Sequence, residues 1–536
     1  MSSPDNNERS DSAPDYAPKW AGDYRQGGAR SARAGLSTEG ERSPFTRDLS
    51  QRRRSLDPEI VNFRQPPPRR LGWFALGFVI AVALGTVIGL FVTGGFPSMF
   101  VEAFRFSTKT NELTSRLGTS KNPEQASSPT TGLVTAPTGQ RPANGAPASV
   151  ATIGGTSDPA PTIRGVTESE IRLGISAPFT GPAKELGQNL KMGIEAAFNA
   201  ANVNGGVYGR QLRLIAVDDG YEPARTAITM KQLYEKDQVF GLVGNVGTPT
   251  AVVALPYALD RKMLFFGAFT GAGLLRNDPP DRYVFNYRAS YAEETAAVVN
   301  YLTKVRQLLP EQIAVFAQQD AYGDAGFAGV EKAIRSLRGG NETPILRLHY
   351  QRNTADVDDA VAQLRLKRRI PIKAVIMVPT YRAAAKFIEK TRDLYPDMIY
   401  TSVSFVGSTA LADELMLLGP KHAMGVIVTQ VVPAVEGHSS LVLDYKSALA
   451  KYFPGVASDY VSLEGYVDAS VLIAALQRNG PQLDTEKLVG TFENLRDLDI
   501  GLGTPVTFSR SEHQGVHKVW GTQLDVNGHY KPIDLQ

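Results

Sequence analysis

The chain has 536 residues, a formal net charge of +3 and no cysteine. This length exceeds what one hydrophobic core usually supports, so two or more domains are expected. A nearly balanced charge, without a basic stripe interleaved with aromatic residues, argues against nucleic-acid binding, and the lack of cysteine excludes disulfides, thiolate catalysis and cysteine-ligated metals.

The N-terminal part of the chain predicts a membrane anchor between two unstructured segments. Residues 1–70 and 94–165 are rich in Ser, Pro, Gly, Ala and charge, so they predict a disordered arm and a flexible linker. Between them, residues 71–93 form an uncharged apolar run that would be roughly 34 Å long as a helix, enough to cross a bilayer. A cleaved signal peptide or a buried core helix fits this run less well, because it starts so far from the N-terminus and is so long.

Charge at the two ends of this run predicts its orientation. Arginines crowd the N-terminal side and are nearly absent from the C-terminal side, so the N-terminus should stay in the cytoplasm. The remainder of the chain would then be periplasmic or otherwise extracytoplasmic, held at the inner membrane by a single span. The arginines concerned are Arg52, Arg53, Arg54, Arg64, Arg69 and Arg70.

The segment after the linker predicts a β-α-β unit. Alternating apolar residues indicate a strand at Ile171–Ile175, and an apolar stripe at a spacing of four indicates a helix over Leu186–Phe198. Asn204–Gly206 ends the helix, and a second strand follows at Leu212–Ala216. The loop after the first strand lies where open α/β sheets place ligands.

These residues resemble the leucine/isoleucine/valine-type periplasmic binding proteins, the type I solute-binding proteins of ABC importers. The resemblance covers about residues 166–536, and the motifs occur in the family's order. They are PFTGPAKELG, NVNGGVYGRQLRL, DDGYEPARTA, GLVGNVGTPT, FFGAFTG, VFNYRASYAEE, AQQDAYGDAGFAG, AVIMVPTY, LEGYVDASVLIAAL and TPVTFSRSEHQGVHKVW.

The resemblance implies a two-lobed α/β fold of the type I periplasmic-binding-protein class, with Rossmann-like parallel sheets. Three crossings would join the lobes, near Tyr287, Val428 and Thr504, and would act as hinges for closure around a ligand. Lobe 1 would comprise about residues 166–287 and 428–503, and lobe 2 about residues 288–427 and 504–536. Further strands are predicted at Val239–Gly244, Met263–Phe266, Ile313–Ala317, Ala374–Val378 and Met398–Ser402.

Two threonines of the first lobe follow predicted strands. A glycine turn leading to a helix N-terminus precedes Thr248, a setting that suits a carboxylate, although a plain N-cap is the alternative for each hydroxyl. The resemblance implies that Thr248 and Thr270 contact the ligand carboxylate and that Ala268 and Phe269 line the pocket.

The second lobe supplies two tyrosines and one departure from the family. Tyr322 and Tyr381 follow predicted strands and could stack on a ligand, or be half-buried structural residues. In amino-acid-binding members, the position of Ser404 holds an acid that pairs with the ligand ammonium. Its loss favours a carboxylate or an amide over an ordinary α-amino acid, unless Asp320 or Asp324 replaces the missing charge.

Other candidate residues do not indicate a metal site or a catalytic site. His513 and His517 are spaced as a helical metal pair, but Thr504–Phe508 and His517–Trp520 are predicted strands around a turn. Glu464 is interpreted as a first-turn acid of a helix. No Walker loop, HExxH or GxSxG motif is present, so neither an enzyme nor a metal or other cofactor is expected.

The sequence therefore predicts a membrane-anchored solute-binding protein of an ABC-type uptake system. Its expected partners are a small amino-acid-like, amide or carboxylate ligand, a membrane permease or other membrane protein, and the lipid bilayer. The alternative is a ligand-sensing or structural ectodomain that engages another membrane protein.

Overall fold

A computed structural model describes residues 163–366 and 368–536. The arm, the span at residues 71–93 and the linker as far as residue 162 lie outside these residues, so those predictions remain predictions. Within the described ranges, no helix is both long enough and apolar enough to cross a bilayer. The predicted domain start at residue 166 is slightly late, because the Gly165 carbonyl accepts a hydrogen bond of 2.8 Å from the Arg172 amide.

The first lobe contains a sheet of five parallel strands. They are β1 (Glu170–Ala177), β2 (Gln211–Asp218), β3 (Gly241–Val243), β4 (Leu264–Phe266) and β5 (Val284–Phe285). Their order in the sheet is β2-β1-β3-β4-β5. Ile171, Leu173 and Ile175 of β1 are fully buried, so the apolar alternation marks the face that meets the core.

The second lobe contains a mixed sheet of seven strands. They are β6 (Ile313–Gln318), β7 (Leu346–Tyr350), β8 (Ala374–Val378), β9 (Ile399–Ser402), β10 (Ile427–Gln430), β11 (Trp520–Leu524) and β12 (Tyr530–Ile533). The order is β12-β11-β10-β9-β8-β6-β7, and β11 pairs antiparallel with both β10 and β12. The central strands β6 and β8 are buried along their whole length, which explains their continuous apolar sequences.

Helices cover both sheets. In chain order they are α1 (Lys184–Val203), α2 (Pro223–Lys231), α3 (Thr248–Asp260), α4 (Tyr291–Asn300), α5 (Ala321–Leu337), α6 (Asp358–Arg365), α7 (Tyr381–Arg392), α8 (Ser408–Leu418), α9 (Pro420–Ala423), α10 (Ser440–Tyr452), α11 (Tyr460–Asn479) and α12 (Thr485–Glu493). π-Helical turns extend α2 (Gln232–Lys236) and α4 (Tyr301–Val305), and 3₁₀ turns occur at Gly273–Leu275, Pro310–Gln312 and Ser404–Val406.

Two of the three lobe crossings differ from the predicted positions. The first lies between β5 and α4, around Tyr287. Val428 lies inside β10, which belongs to the second sheet, so the second crossing comes after Gln430. The stretch after Thr504 still belongs to the first lobe, because the ring of Phe508 packs edge-on against rings of that core. The third crossing therefore lies between Val516 and β11.

The stretch around this third crossing also corrects the strand prediction. Thr504–Phe508 contains only an isolated bridge from Val506 to Leu498, and β11 begins at Trp520 rather than at His517. The pattern of alternation is present there, but among the described residues the backbone of Thr504–Phe508 bonds to loop residues such as Leu495 and Gly515.

Helices α1 and α11 pack at backbone distance in the first lobe. A Cβ added at Gly193 would lie 1.8 Å from the Ser462 carbonyl oxygen, and one at Gly465 would lie 2.3 Å from the Leu190 carbonyl oxygen. Glycine at both positions lets the helix axes approach closely. Because α11 also carries Glu464 towards the cleft, this packing positions part of the site described below.

Replacing Gly193 with alanine should force these helices apart and lower the free energy of unfolding by about 1–3 kcal/mol or more. Gly490→Ala is the matched control, since a Cβ there meets no described atom within 4 Å and should stabilise α12 by roughly 0.5–1 kcal/mol. Chemical denaturation of the full chain measures both. Equal midpoints for the two variants would contradict the packing.

Candidate ligand-binding cleft

Two buried hydroxyls meet at the carboxyl ends of β3 and β4. Thr248 begins α3, and its Oγ1 lies 2.7 Å from Oγ1 of Thr270. Both side chains are fully buried. The preceding Gly247 has a φ of 104°, and a Cβ there would lie 2.3 Å from Cε2 of Tyr221, so the turn requires glycine.

The hydroxyl of Tyr291 lies beside this threonine pair. Burial raises the pKa of Tyr291 to about 12, against the opposing effects of the Arg288 charge and the hydroxyls of Thr270 and Thr248. The Tyr291 hydroxyl makes no hydrogen bond of ordinary geometry to any described residue. The three hydroxyls together offer donors to an anionic or carbonyl group.

Five aromatic side chains from both lobes form one buried group, which we call the aromatic cluster. The ring of Phe405 lies at its centre, with centroids 5.2 Å from Phe269, 4.6 Å from Tyr322 and 6.1 Å from Tyr221. Tyr291 completes it, with its ring edge-on to Phe405 at 6.4 Å. The cluster provides an apolar surface next to the three hydroxyls.

The guanidinium of Arg288 lies beside Ser404, the position where the resemblance implies an acid in amino-acid-binding members. Arg288 is 1% exposed, and its Nη2 donates hydrogen bonds to the Ser404 hydroxyl and to Oε1 of Glu294 at 3.1 Å. Its Nη1 lies 3.3 Å from Oε1 of Glu464, and its Cζ lies 5.0 Å from the ring centroid of Phe269. We call Arg288, Glu294 and Glu464 the ion network.

Burial and the neighbouring charges shift the pKa values of Arg288 and Glu464. Burial alone would lower the pKa of Arg288, but the carboxylates of Glu464 and Glu294 more than offset it and raise the pKa. Burial raises the pKa of Glu464 to about 7, although Arg288 opposes this. Glu294 also accepts hydrogen bonds from the Ser404 amide at 2.7 Å and the Thr429 hydroxyl at 2.5 Å, so it is the better compensated acid.

The predicted site residues fall into two groups. Thr248, Thr270, Phe269, Tyr322 and Ser404 lie together around the aromatic cluster and the ion network. The side chain of Ala268 packs instead in a separate apolar group with residues such as Met230 and Leu242. Tyr381 is buried beside Gly407, outside the aromatic cluster, and its hydroxyl has no partner among the residues described.

Neither proposed substitute for the missing acid is free. Oδ2 of Asp320 lies 3.1 Å from Nη1 of Arg352, and Oδ1 of Asp324 lies 2.5 Å from Nη2 of Arg347. Asp324 is also largely exposed. The hypothesis that either aspartate replaces the charge missing at Ser404 therefore receives no support from the geometry.

The two histidines have separate partners. Nδ1 of His513 contacts the Val284 carbonyl oxygen at 2.8 Å, while Nδ1 of His517 contacts Oε1 of Glu293 at 2.7 Å. No group of potential metal ligands is found in the described part of the chain. His517 instead belongs to the third crossing and bonds to a helix of the second lobe.

Hydrogen bonds also join the lobes at the mouth of the cleft. Nη2 of Arg352 donates to Oε2 of Glu222 at 2.9 Å, and Nδ2 of Asn353 donates to the Gly220 carbonyl at 3.1 Å. Gly220 and Glu222 follow β2 in the first lobe, whereas Arg352 and Asn353 follow β7 in the second. The two lobes are thus joined by Arg352 and Asn353 at the mouth of the cleft and by the ion network in its interior.

Sequence reasoning missed the residues that dominate the electrostatics. Arg288 and Glu294 lie in the family motif VFNYRASYAEE, and Ser290 and Glu293 form a capping box that starts α4. That capping signal would have placed Glu294 in the first turn, close to the crossing. Glu464 was interpreted as a first-turn acid, which is wrong, because α11 begins four residues earlier at Tyr460 and Glu464 is buried.

Comparisons with known proteins agree with this architecture. The profile of a family described as Periplasmic binding protein matches residues 170–529. A relative from Brucella melitensis biotype 1, named Leu/Ile/Val-binding protein homolog 3, is 25% identical over 346 residues, which cover 64% of this chain and 88% of the relative.

Solved structures align over nearly their whole length. A possible leucine/isoleucine/valine-binding protein from Rhodopirellula baltica SH 1 has a TM-score of 0.65 and 40% identity, covering 70% of this chain and 99% of its own. A substrate-binding periplasmic protein from Ralstonia solanacearum has a TM-score of 0.62 and 26% identity, covering 68% and 100%.

The His517–Glu293 contact predicts a pH-dependent contribution to stability. The hydrogen bond to Glu293 raises the pKa of His517, while Glu293 has its pKa lowered to about 2, because hydrogen bonds from His517 and Ser290 outweigh burial. The stabilisation should be fully present between the unfolded values of the two groups, from about pH 4.5 to about pH 6.5. It should be lost as pH rises through the raised pKa of His517, and in acid as Glu293 takes up a proton. Urea midpoints of wild type and His517→Gln should therefore differ most between about pH 4.5 and 6.5 and converge in alkaline solution. A difference that grows as pH rises above about 6.5 would refute the assignment.

Proposed function

Because the chain belongs to the periplasmic binding protein family, we propose that it is the extracytoplasmic solute-binding component of an ABC-type uptake system. Its ligand is a small carboxylate or amide, held in the cleft by closure of the two lobes. The observation that carries the proposal is the buried pair of hydroxyls on Thr248 and Thr270, 2.7 Å apart, at the carboxyl ends of two strands. Binding rather than catalysis agrees with the names of the relatives, which describe binding proteins.

The threonine pair suits one end of the ligand. Each hydroxyl currently has the other as its near neighbour, and both can rotate to donate to a ligand oxygen instead. Thr248 is also the first residue of α3, whose N-terminus carries partial positive charge and exposed amides. A carboxylate or amide carbonyl is the group that matches these donors.

The ion network argues against an α-amino acid. An ammonium would need an acid with free acceptor capacity near Ser404. Glu294, the acid there, already accepts hydrogen bonds from Arg288, Thr429 and both the amide and the hydroxyl of Ser404. The names of the relatives refer to leucine, isoleucine and valine. We propose that this chain binds a carboxylate or an amide instead.

The same side chains link ligand binding to lobe closure. Arg288 and Tyr291 follow the first crossing, Glu464 belongs to a helix of the first lobe, and Ser404 belongs to the second lobe. A ligand between the threonines and the aromatic cluster would contact both lobes at once. Hinge closure around it is the motion that such a layout supports.

Thermal shifts of the full chain with leucine, 4-methylpentanoate and 4-methylpentanamide test the ligand class. A ligand at 100 times its dissociation constant adds about 2.7 kcal/mol, which should raise the midpoint by a few degrees for the acid or the amide and by much less for leucine. Thr270→Val should remove the shift. Thr391→Val is the control, since that threonine is equally buried and hydrogen-bonded in α7 but lies away from the cleft.

A larger shift with leucine than with either analogue, unaffected by Thr270→Val, would defeat this assignment of the cleft. If none of the compounds shifts wild type, a ligand-sensing or structural ectodomain that engages another membrane protein becomes the better proposal.

We further propose that residues 71–93 anchor the protein in the inner membrane with its N-terminus in the cytoplasm. The uncharged run and the arginines before it support this topology. In spheroplasts, added protease should remove the binding domain from the membrane fraction while an N-terminal tag stays protected. Recovery of the intact chain in the soluble fraction would contradict the anchor, and digestion of the tag would contradict its orientation.

A further inference from the structure

Arg288 is only partly used by the protein itself. A guanidinium has five N–H donors, and here Nη2 supplies the bonds to Glu294 and Ser404. Its Nε and Nη1 donate to no acceptor among the described residues, although both are buried. Nη1 lies 3.3 Å from Glu464, a charge contact without the geometry of a hydrogen bond. Two of the three guanidinium nitrogens, Nε and Nη1, therefore have N–H groups free to donate to a ligand.

Arg288 has two acids beside it, although Glu294 alone is enough to neutralise its charge. Glu464 is the second of these acids. A third acid, Asp468, lies one helical turn further along α11, and both of its buried oxygens lack a donor in the described ranges. Burial raises the pKa of Asp468 well above its usual range. Glu464, with a pKa raised by burial to about 7, is the acid that can change its charge near neutral pH.

Among the described residues, the cation in direct contact with Glu464 is Arg288. Arg276 acts on it from the segment after β4, and its guanidinium is already bonded to Gln514 and to backbone carbonyls. Where α1 passes α11 at Gly465, it approaches with the backbone of Leu190 and Ile194. The titratable or charged groups that face Glu464 are Arg276, Tyr287, Arg288, Glu294 and Asp468.

We propose that Arg288 is the receptor for the ligand carboxylate and that Glu464, displaced from the guanidinium on binding, takes up one proton from the solvent. The inference rests on the proposed function and deepens it. Two further negative charges, those of Glu464 and the ligand carboxylate, cannot both be compensated by one buried guanidinium that already pairs with Glu294. The free Nε and Nη1 donors, the ring of Phe269 and the nearby hydroxyls provide the contacts for the incoming anion.

This exchange makes the affinity depend on pH. The ligand enters as an anion and is balanced by a proton, so the net charge of the buried site is the same before and after binding. Above about pH 7 the affinity should fall about tenfold for each pH unit, because one proton is bound with the ligand. Below that pH Glu464 is already protonated, and the affinity should be constant.

Isothermal titration of the full chain with 4-methylpentanoate, which is leucine without its amino group, tests the exchange. Comparing the heat in buffers of different ionisation enthalpy measures the protons taken up with the ligand. We expect about one proton at about pH 8 and almost none at about pH 5.5. This measurement on wild type does not depend on any variant folding.

Two isosteric variants distinguish Glu464 from its neighbour. Glu464→Gln should bind 4-methylpentanoate without proton uptake at either pH, and at about pH 8 as tightly as wild type does at about pH 5.5. Asp468→Asn should leave the uptake unchanged, since the ion pairs of Arg288 are with Glu294 and Glu464 and not with Asp468. Arg288→Lys keeps the charge but not the planar array of donors, and should weaken binding at least about tenfold.

Each remaining outcome counts against the inference. Binding of 4-methylpentanoate without proton uptake, or with an uptake that survives in Glu464→Gln, overturns the inference but leaves the proposed function intact. Binding of 4-methylpentanamide but not of 4-methylpentanoate also overturns the inference and leaves the proposed function intact. If wild type binds neither compound, the proposed function fails and the inference fails with it.

Discussion

The guanidinium of Arg288 carries a full charge at a place where both lobes exclude water. Such a charge is tolerated only when carboxylates and hydrogen bonds replace its hydration. Here Glu294 and Ser404 come from the second lobe and Glu464 from the first, so compensating the charge requires the lobes to be close together. Removing one partner of such a pair typically costs about 3–5 kcal/mol, so the position of each element around the cleft depends on it.

Several features of the fold make this arrangement possible. The capping box of Ser290 and Glu293 starts α4 directly after the first crossing, which places Glu294 against Arg288. The glycine contacts between α1 and α11 bring Glu464 to the same point from the other side. The ion network therefore depends on a local backbone signal in one lobe and on close helix packing in the other.

Much of the framework could be predicted from the sequence. Strong apolar alternation or continuous apolar runs indicated β1, β6 and β8, and glycine turns indicated where strands end. The strand β7 was not predicted, although LRLHY alternates apolar and polar residues. The strand β12 was harder, because YKPI carries little apolar periodicity and its pairing depends on β11. The crossing predicted near Val428 comes slightly later, after Gln430, because β10 pairs with β9 and β11 on either side of it.

The site was only partly predictable. Thr248, Thr270 and Ser404 could be aligned with a family pattern, whereas Arg288 could not be assigned a role from its sequence context. A charged residue between Tyr287 and Ala289 is normally expected to face solvent. Only the folded chain shows that three acids surround it, since these come from α4 and α11, well separated along the sequence.

The shared use of Ser404 has an evolutionary consequence. An acid at this position would recreate the family's ammonium partner, yet it would also lie against Arg288 and Glu294 and add one more negative charge to a buried group. Under the proposed ligand class, a change to amino-acid binding would require substitutions at Arg288 and Ser404 together, because the two side chains are directly bonded. Two coupled substitutions, and not a single mutation, would then separate the two binding modes.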